Sequence, residues 1–404
     1  MVLQSMFLLM RFIPANLSHL ILHQKLLSDK KHNQNMSKKV VFLCGARDYH
    51  AIDWYRSSLE LMPNKDICIL TDLIDGEGVK KLINSTDQVY KLIIIDKFLF
   101  KRQSKIGNIW RNIVKLLVFP IQIILLKRFS KRNPNAIYHA HSMYYLFLGW
   151  AAKIDFIGTP QGSDVLVKPF KSKAYKYFAI KSLKAAKAVT VDSENMKNRV
   201  MELAQVDSHI IQNGIDIHSI IDFLMNKSVK DDVRDKMVSM RGITPLYRIR
   251  ELIQNRNSNE KNESFPLTFI YPFVDNQYKN EVFKDVKSYD TDLGRVDRFK
   301  MYVLFTQSKI AFSIPVSDSS PRSVYEAIFC GSAVAIAYNP YYEILPQCMK
   351  SRIIIIDLDD PNWFKKSISE AKKIEKTPFM PSEEALDLFD QRKSLQKMAD
   401  LFFN

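Results

Sequence analysis

Cysteine is scarce and scattered. Cys44, Cys68, Cys330 and Cys348 are the only four in 404 residues, and none stands in C-x-x-C spacing. Neither a zinc site nor a disulfide framework is indicated, and their apolar surroundings read as buried thiols in a reducing compartment. Helix-turn-helix, zinc-finger and RNP-like aromatic signatures are also missing, so a nucleic-acid partner is not expected despite the basic composition. No repeat of short period occurs. The apolar run Ile113 to Leu126 contains Lys115, Pro120 and Gln122 and is too short to span a bilayer. Met1 to Met10 is apolar but brief, Arg11 follows it instead of preceding it, and no A-x-A-like site comes after. A secretory signal is therefore not expected. Met36 leads directly into a strong strand, which makes it an alternative start and residues 1–36 an N-terminal extension.

What is present is enough chain for two large domains, with 47% hydrophobic and 25% charged residues. The net charge of +16 favours anionic partners, here phosphorylated ligands or acidic lipid headgroups. From Lys38 short apolar runs alternate with longer amphipathic ones, the pattern of βα units around a parallel sheet. Strands are expected at Val40–Cys44, Ile67–Leu70, Tyr90–Ile95, Ala136–His139, Phe156–Gly158, Ala188–Val191 and Ile210–Ile211. A second set is expected at Lys236–Ser239, Leu267–Tyr271, Ile310–Ile314, Ala333–Ala337 and Ile353–Ile356. Helices are expected at Leu246–Asn255, Arg298–Gln307, Pro321–Cys330 and Trp363–Ile374, and the polar stretch Asn255–Ser264 reads as a surface loop. The fold class is thus α/β, with two doubly wound Rossmann-like domains at 37–212 and 213–385. A C-terminal helix at 386–404 is expected to return to the first domain.

Ligands of doubly wound sheets bind beyond the carboxyl ends of the strands, so two such sheets point to a central cleft. One segment that follows a strand there is rich in chemistry, Ser317 to Gly331. Ser320 suits an N-cap and Pro321 the first helical position. The free N–H groups and dipole of that helix would attract a phosphate, and Arg322 and Ser323 lie in its first turn. Asp318 precedes the helix and Glu326 lies within it, one placed for sugar hydroxyls and the other for a ribose diol. The alternative is an ordinary helix that happens to start with Ser-Pro and to expose a Glu.

This segment resembles the donor motif of family 4-type retaining glycosyltransferases of the GT-B fold: an acidic residue, seven residues, then Glu and Ala-Met-Ala-x-Gly. Here Asp318, seven residues, Glu326 and Ala-Ile-Phe-Cys-Gly stand in that order. Further matches follow the family's order. Ala136 to His141 resembles a strand ending in His-x-His, Thr159-Pro-Gln-Gly-Ser-Asp164 its Thr-x-His-Gly-Ser-Asp turn, Val189 to Ser193 its serine-bearing turn, and Ile211 to Asp216 its Pro-Asn-Gly-Val-Asp connection. The resemblance covers Lys38 to Asp357. It implies retaining transfer of a sugar from a nucleoside diphosphate, with no cofactor and no metal, in keeping with the lack of an Asp-x-Asp element in a suitable loop. Arg241, Asp318 and Glu326 take the catalytic places. Arg241, Arg248, Ser320, Pro321, Arg322, Ser323 and Glu326 take the donor-binding ones.

The departures are specific. Gln161 stands where the family has His, and a Gln cannot accept a proton usefully at neutral pH. The first carboxylate is Asp rather than Glu. Arg241 fits the family's phosphate-binding arginine, but no Lys follows at the usual spacing; Arg248 is the nearest substitute and Arg250 competes with it. Gly45, His50, Asp53 and Gln161 are assigned to the acceptor side, with a helix-capping role for Asp53 as the alternative. His139 and His141 read as packed strand-end residues. The basic and apolar stretch Lys101–Arg132 suits an interfacial segment on an anionic membrane, the alternative being a buried Rossmann helix with basic ends. These readings place the protein in the cytoplasm, peripheral on the inner face of the plasma membrane, with a glycan or lipid-linked acceptor in surface polysaccharide or glycoconjugate synthesis. Competing readings are a silent sugar-nucleotide or glycan-binding partner and a GT-B sugar-nucleotide epimerase.

Overall fold

The computed structural model of the protein describes residues 39–45, 48–71, 87–92, 105–226, 233–260 and 263–403, without the side chains of residues 49, 50, 105–109, 111 and 112. The N-terminal extension lies outside these residues, as do positions 93–95 of the third expected strand.

The first half runs β1 (Val40–Leu43), α1 (Tyr49–Leu61), β2 (Ile67–Thr71), β3 (Val89–Lys91), α2 (Lys105–Arg132), β4 (Ile137–His141), α3 (Met143–Ala152), β5 (Phe156–Thr159), α4 (Gly162–Leu166), α5 (Lys168–Lys171), α6 (Lys173–Ala185), β6 (Ala188–Val191), α7 (Glu194–Ala204) and β7 (His209–Ile210). Its seven strands are ordered β3-β2-β1-β4-β5-β6-β7 and pair in parallel. β1 and β2 are buried at every position, as strands covered on both faces by helices must be.

The second half runs α8 (Ile217–Asn226), β8 (Lys236–Ser239), α9 (Ile249–Asn259), β9 (Leu267–Ile270), α10 (Asn276–Val282), β10 (Thr291–Gly294), α11 (Arg298–Thr306), β11 (Ser308–Ser313), α12 (Arg322–Phe329), β12 (Ala333–Ala337), α13 (Gln347–Lys350), β13 (Ile353–Ile356), α14 (Trp363–Ile374), α15 (Glu383–Phe389) and α16 (Gln391–Phe403). Six strands form a second parallel sheet, ordered β10-β9-β8-β11-β12-β13. In both sheets the order reverses beside the first strand of the half, the switch point at which doubly wound folds open a crevice.

Two expectations are corrected here. The stretch from Asn255, read as a loop, is helical to Asn259. Asn255 donates to the Pro361 carbonyl and accepts from Phe364 N–H, and Asn259 donates to both Asn255 and Pro361. These contacts with the start of α14 outweigh the weak helix propensity of an Asn-rich segment. The polar strand β10 was not foreseen; it is the edge of its sheet and leaves Thr291 and Asp292 exposed, so it never needed an apolar pattern.

The chain crosses between the halves twice, side by side. Ile215 N–H donates to Phe389 O at 2.8 Å and Gln391 N–H to Ile215 O at 3.0 Å. Gly214, at φ 50°, has no room for a side chain, because a Cβ would lie 2.7 Å from the backbone of Gln391. Beyond the second crossing α16 packs on the first half, where Leu395, Met398 and Phe402 share a core with Val40, Phe42 and Trp54.

One buried ion pair braces the second sheet. The Arg256 guanidinium binds Asp290 with two nitrogens at 2.7 and 2.6 Å, both side chains being fully enclosed. Asp290 also accepts from Leu267 and Lys287 N–H. Arg256→Met would leave that carboxylate uncompensated and is expected to cost about 3–5 kcal/mol, read as a lower urea midpoint. Asp290→Asn keeps only one of the two oxygens that accept from Leu267 and Lys287 N–H and leaves the buried guanidinium without a counter-charge, so a comparable loss is expected.

Candidate functional site

A cavity of about 450 Å³ opens beyond the carboxyl ends of β8 and β9, lined on one side by Arg241, Gly242 and Tyr247 and on the other by Asp318, Ser320–Ser323 and Glu326. Tyr271, Phe273, Arg295 and Arg298 close its far wall. That size suits a ligand rather than a few waters. Gly242 keeps the turn after β8 clear, since a Cβ there would stand 2.3 Å from the Phe273 ring.

Arg241 is anchored from three sides. Its Nη1 donates to Ser323 Oγ at 3.1 Å, its Nη2 donates to Asp318, and its guanidinium lies 4.7 Å from the Tyr247 ring centroid. Such a fork is matched to planar carboxylate and phosphate oxygens. Asp318 is fixed in turn by its backbone: Asn339 Oδ1 accepts from Asp318 N–H at 2.9 Å, and Asn339 itself is buried and donates to Ala337 O. Asn339, at the end of β12, was not foreseen from the sequence; only its position just after a strand hints at it.

Glu326 faces the cavity from the second turn of α12 and is buried. Burial pushes its carboxyl above the usual range, against the pull of Arg322 and Arg298 toward ionisation. Arg322 is the more telling residue. Its Nη1 donates to Asp53 of α1, yet its Nε and Nη2 are buried with no hydrogen-bond partner. Buried guanidinium N–H groups without acceptors are costly, and here they belong to a residue that lines the cavity. An anion in the cavity would satisfy them.

The helix start differs by one residue from expectation. α12 begins at Arg322 with Pro321 in the capping position and no side-chain cap. Ser320 is not the N-cap; its hydroxyl donates to Gln212 Oε1 at 2.7 Å. With Ser319 donating to Asp192 at 3.1 Å and Arg322 bound to Asp53, this segment ties the second half to the first. The expected phosphate partner Arg248 turns away, donating to Pro315 O at 3.2 Å, and is not among the residues of the cavity wall. Arg295 and Arg298 stand at the wall instead.

On the opposite side, Asp53 does not cap its helix. That role falls to Asp48, whose Oδ1 accepts from Ala51 N–H at 3.3 Å. An Asp just before an amphipathic run was the available signal. Asp48 Oδ2 also accepts from Gln161 Nε2 at 2.8 Å. Gln161 caps α4 in a reciprocal box with Asp164, so its side chain bridges the starts of α1 and α4. Asp164 is buried and holds that turn through Met143 N–H, Lys168 and the Tyr175 hydroxyl. Gly45 lies beside Tyr145, and His50 lies in the first turn of α1, its side chain outside the described part. His139 and His141 are both buried; burial, and then the neighbouring His141, hold His139 well below the usual imidazole range. Of the cysteines, Cys44, Cys68 and Cys330 are buried and Cys348 is half-buried. No cluster of His, Cys, Asp and Glu among the described residues could hold a metal ion.

Because Arg322 is shared between Asp53 and the cavity, Asp53→Asn should free it. Affinity of the cavity for pyrophosphate in calorimetry is expected to tighten about twofold to fivefold, the scale of one partly exposed ion pair. Unchanged or weaker binding would show that Arg322 takes no part.

Two parallel Rossmann-like sheets in tandem, of seven and six strands, are the GT-B architecture, and comparison with solved structures agrees. A sucrose-phosphate synthase from Thermosynechococcus elongatus superposes with a TM-score of 0.68 at 12% identity, over 90% of this chain and 98% of that one. A glycosyltransferase from Rickettsia africae gives 0.65 at 15%, over 91% and 98%. Anabaena HepE, in complex with UDP and glucose, gives 0.63 at 13%, over 90% and 99%. Residues 102–219 match the model of Glycosyltransferase Family 4. The chain is GT-B in fold and family 4-like in that region. A search by sequence among curated proteins finds no match.

Proposed function

We propose that the protein is a glycosyltransferase that moves a sugar from a nucleoside diphosphate to an acceptor hydroxyl, with retained anomeric configuration and without a metal. The observation that carries the reading is the cavity wall itself: Arg241, the two unsatisfied donors of Arg322 and the start of α12 converge on one space with Glu326. In this account the diphosphate lies against Arg241, Ser323 and Arg322, where first-turn N–H groups add to the positive field. Glu326 accepts from the ribose hydroxyls, and Asp318 orients the transferred sugar. The chemical demand is then stabilisation of the departing diphosphate, and fixed cationic donors meet it without reorganisation. The family model and the UDP complex of a similarly folded protein support the same donor class.

The acceptor side comprises Asp53, Gly45, His50 and the Asp48–Gln161 bridge. Gln161 acts there as a strut, its carbonyl and amide both engaged, rather than as an acid or base. A glycan or lipid-linked acceptor in surface polysaccharide or glycoconjugate synthesis fits this reading. The test is the anomeric configuration of the product by NMR, with turnover repeated in chelator. Retained configuration and unaffected turnover support the proposal; inversion or chelator-sensitive turnover overturns it.

A further inference from the structure

The positive charge is not spread over the chain. Between Asp96 and Asp192 stand 18 Lys and Arg but only 2 Asp and Glu, so this stretch accounts for the whole formal charge of +16 and the rest of the chain sums to zero. Both acids within it are already paired: Asp164 is buried against Lys168, and Asp155 lies 2.8 Å from Lys187. α2 contains no acidic residue at all.

The same stretch exposes large apolar side chains. On α2, Leu116 and Leu117 are 74% and 69% exposed, and Ile113, Ile121 and Ile124 about half. Ile113, Leu117, Ile121 and Ile124 follow each other at helical spacing, and the same line continues into the exposed Arg128 and Lys131. The opposite side of the helix is already used, with Leu126 in the core and Gln122 accepting from the Tyr144 hydroxyl. α3 joins α2 to α6 in this layer through Phe119–Tyr144 and Phe147–Phe178 contacts. α6 adds exposed Tyr177 and Phe178 among exposed Lys173, Lys176, Lys181 and Lys184.

We propose that this face, centred on α2, docks on a bilayer surface rich in anionic lipid, with the apolar line at the acyl boundary and the lysines and arginines among the headgroups. An exposed aliphatic patch of this extent calls for a partner. Charge complementarity selects which one. A second copy would bring the same cations face to face, a repulsive arrangement. Nucleic acid would match the charge but gains nothing from exposed Leu and Ile, since its bases stack on aromatic rings. Anionic lipid satisfies both halves of the surface at once. No helix among the described residues is long and apolar enough to cross a membrane, so α2 lies on the surface instead of spanning it. The inference does not depend on the identity of the sugar donor.

The test is flotation of the full chain with phosphatidylcholine vesicles and with vesicles one third phosphatidylglycerol, at physiological ionic strength. Binding to the anionic vesicles alone is expected. Neutralising three charges, Lys127→Gln, Arg128→Gln and Lys131→Gln together, is expected to weaken it about a hundredfold, at roughly a factor of five for each cation near the surface. Leu116→Ser, Leu117→Ser and Ile121→Ser together, at exposed positions that leave the core intact, are expected to abolish flotation while melting temperature and donor binding stay unchanged. Failure to float, equal binding to both vesicle types, or an apolar variant that floats like the natural chain would overturn the proposal. So would a stable dimer in sedimentation that the apolar variant dissolves, because the occupant would then be a second copy. Donor binding, measured on the same samples, separates failure of docking from failure of the sugar-transfer reading.

Discussion

Glu326→Ala is expected to lower the affinity for a nucleoside-diphosphate sugar by about 10²- to 10⁴-fold, the loss of two hydrogen bonds to a charged acceptor. The carboxylate is buried and faces the cavity from the second turn of α12. Calorimetry checks the value, and an unchanged melting temperature separates lost binding from lost fold. A pH dependence accompanies it. Ribose hydroxyls need the ionised carboxylate, and burial raises the pH at which Glu326 takes up a proton. Affinity should therefore be full at higher pH and fall, as pH is lowered, earlier than an ordinary carboxylate would cause. The Glu326→Gln variant should bind weakly with no such fall.

Arg241→Ala is expected to reduce turnover about 10²- to 10³-fold, comparable to removing one preorganised donor from a developing negative charge. Arg241 spans Ser323 and Asp318, so its loss removes the proposed phosphate contact and also releases the Asp318 carboxylate. Arg241→Lys should recover only part of the rate, because an ammonium cannot reproduce the two-pronged contact. A turnover loss below tenfold in Arg241→Ala would place the diphosphate elsewhere.

The strands were legible because strands such as β1, β2 and β12 are buried on both faces and read as unbroken apolar runs between turn residues. The edge strand β10 escaped because water covers it. The segment from Asp318 to Gly331 stood out as a site candidate because its acidic residues, Ser-Pro start and glycine are contiguous. What joins that segment to the rest was not. Arg322 meets Asp53 across 269 residues, and Ser320 meets Gln212 across 108, pairings that only the docking of the two halves creates. The same docking decides that Ser320 serves as a bridge instead of a cap. Arg248 stands off the cavity wall for a local reason. It adopts a left-handed backbone conformation at φ 51°, and its guanidinium reaches the Pro315 carbonyl.

The measurement that bears most directly on the account is a saturation-transfer NMR screen of the full chain against UDP-, GDP-, ADP- and CMP-sugars, repeated with Glu326→Ala and Arg241→Ala. The account predicts binding of one donor class, with transfer to ribose and sugar protons, lost in both variants. Binding of none, or binding that survives both substitutions, would contradict a donor site in the cavity between β8 and α12.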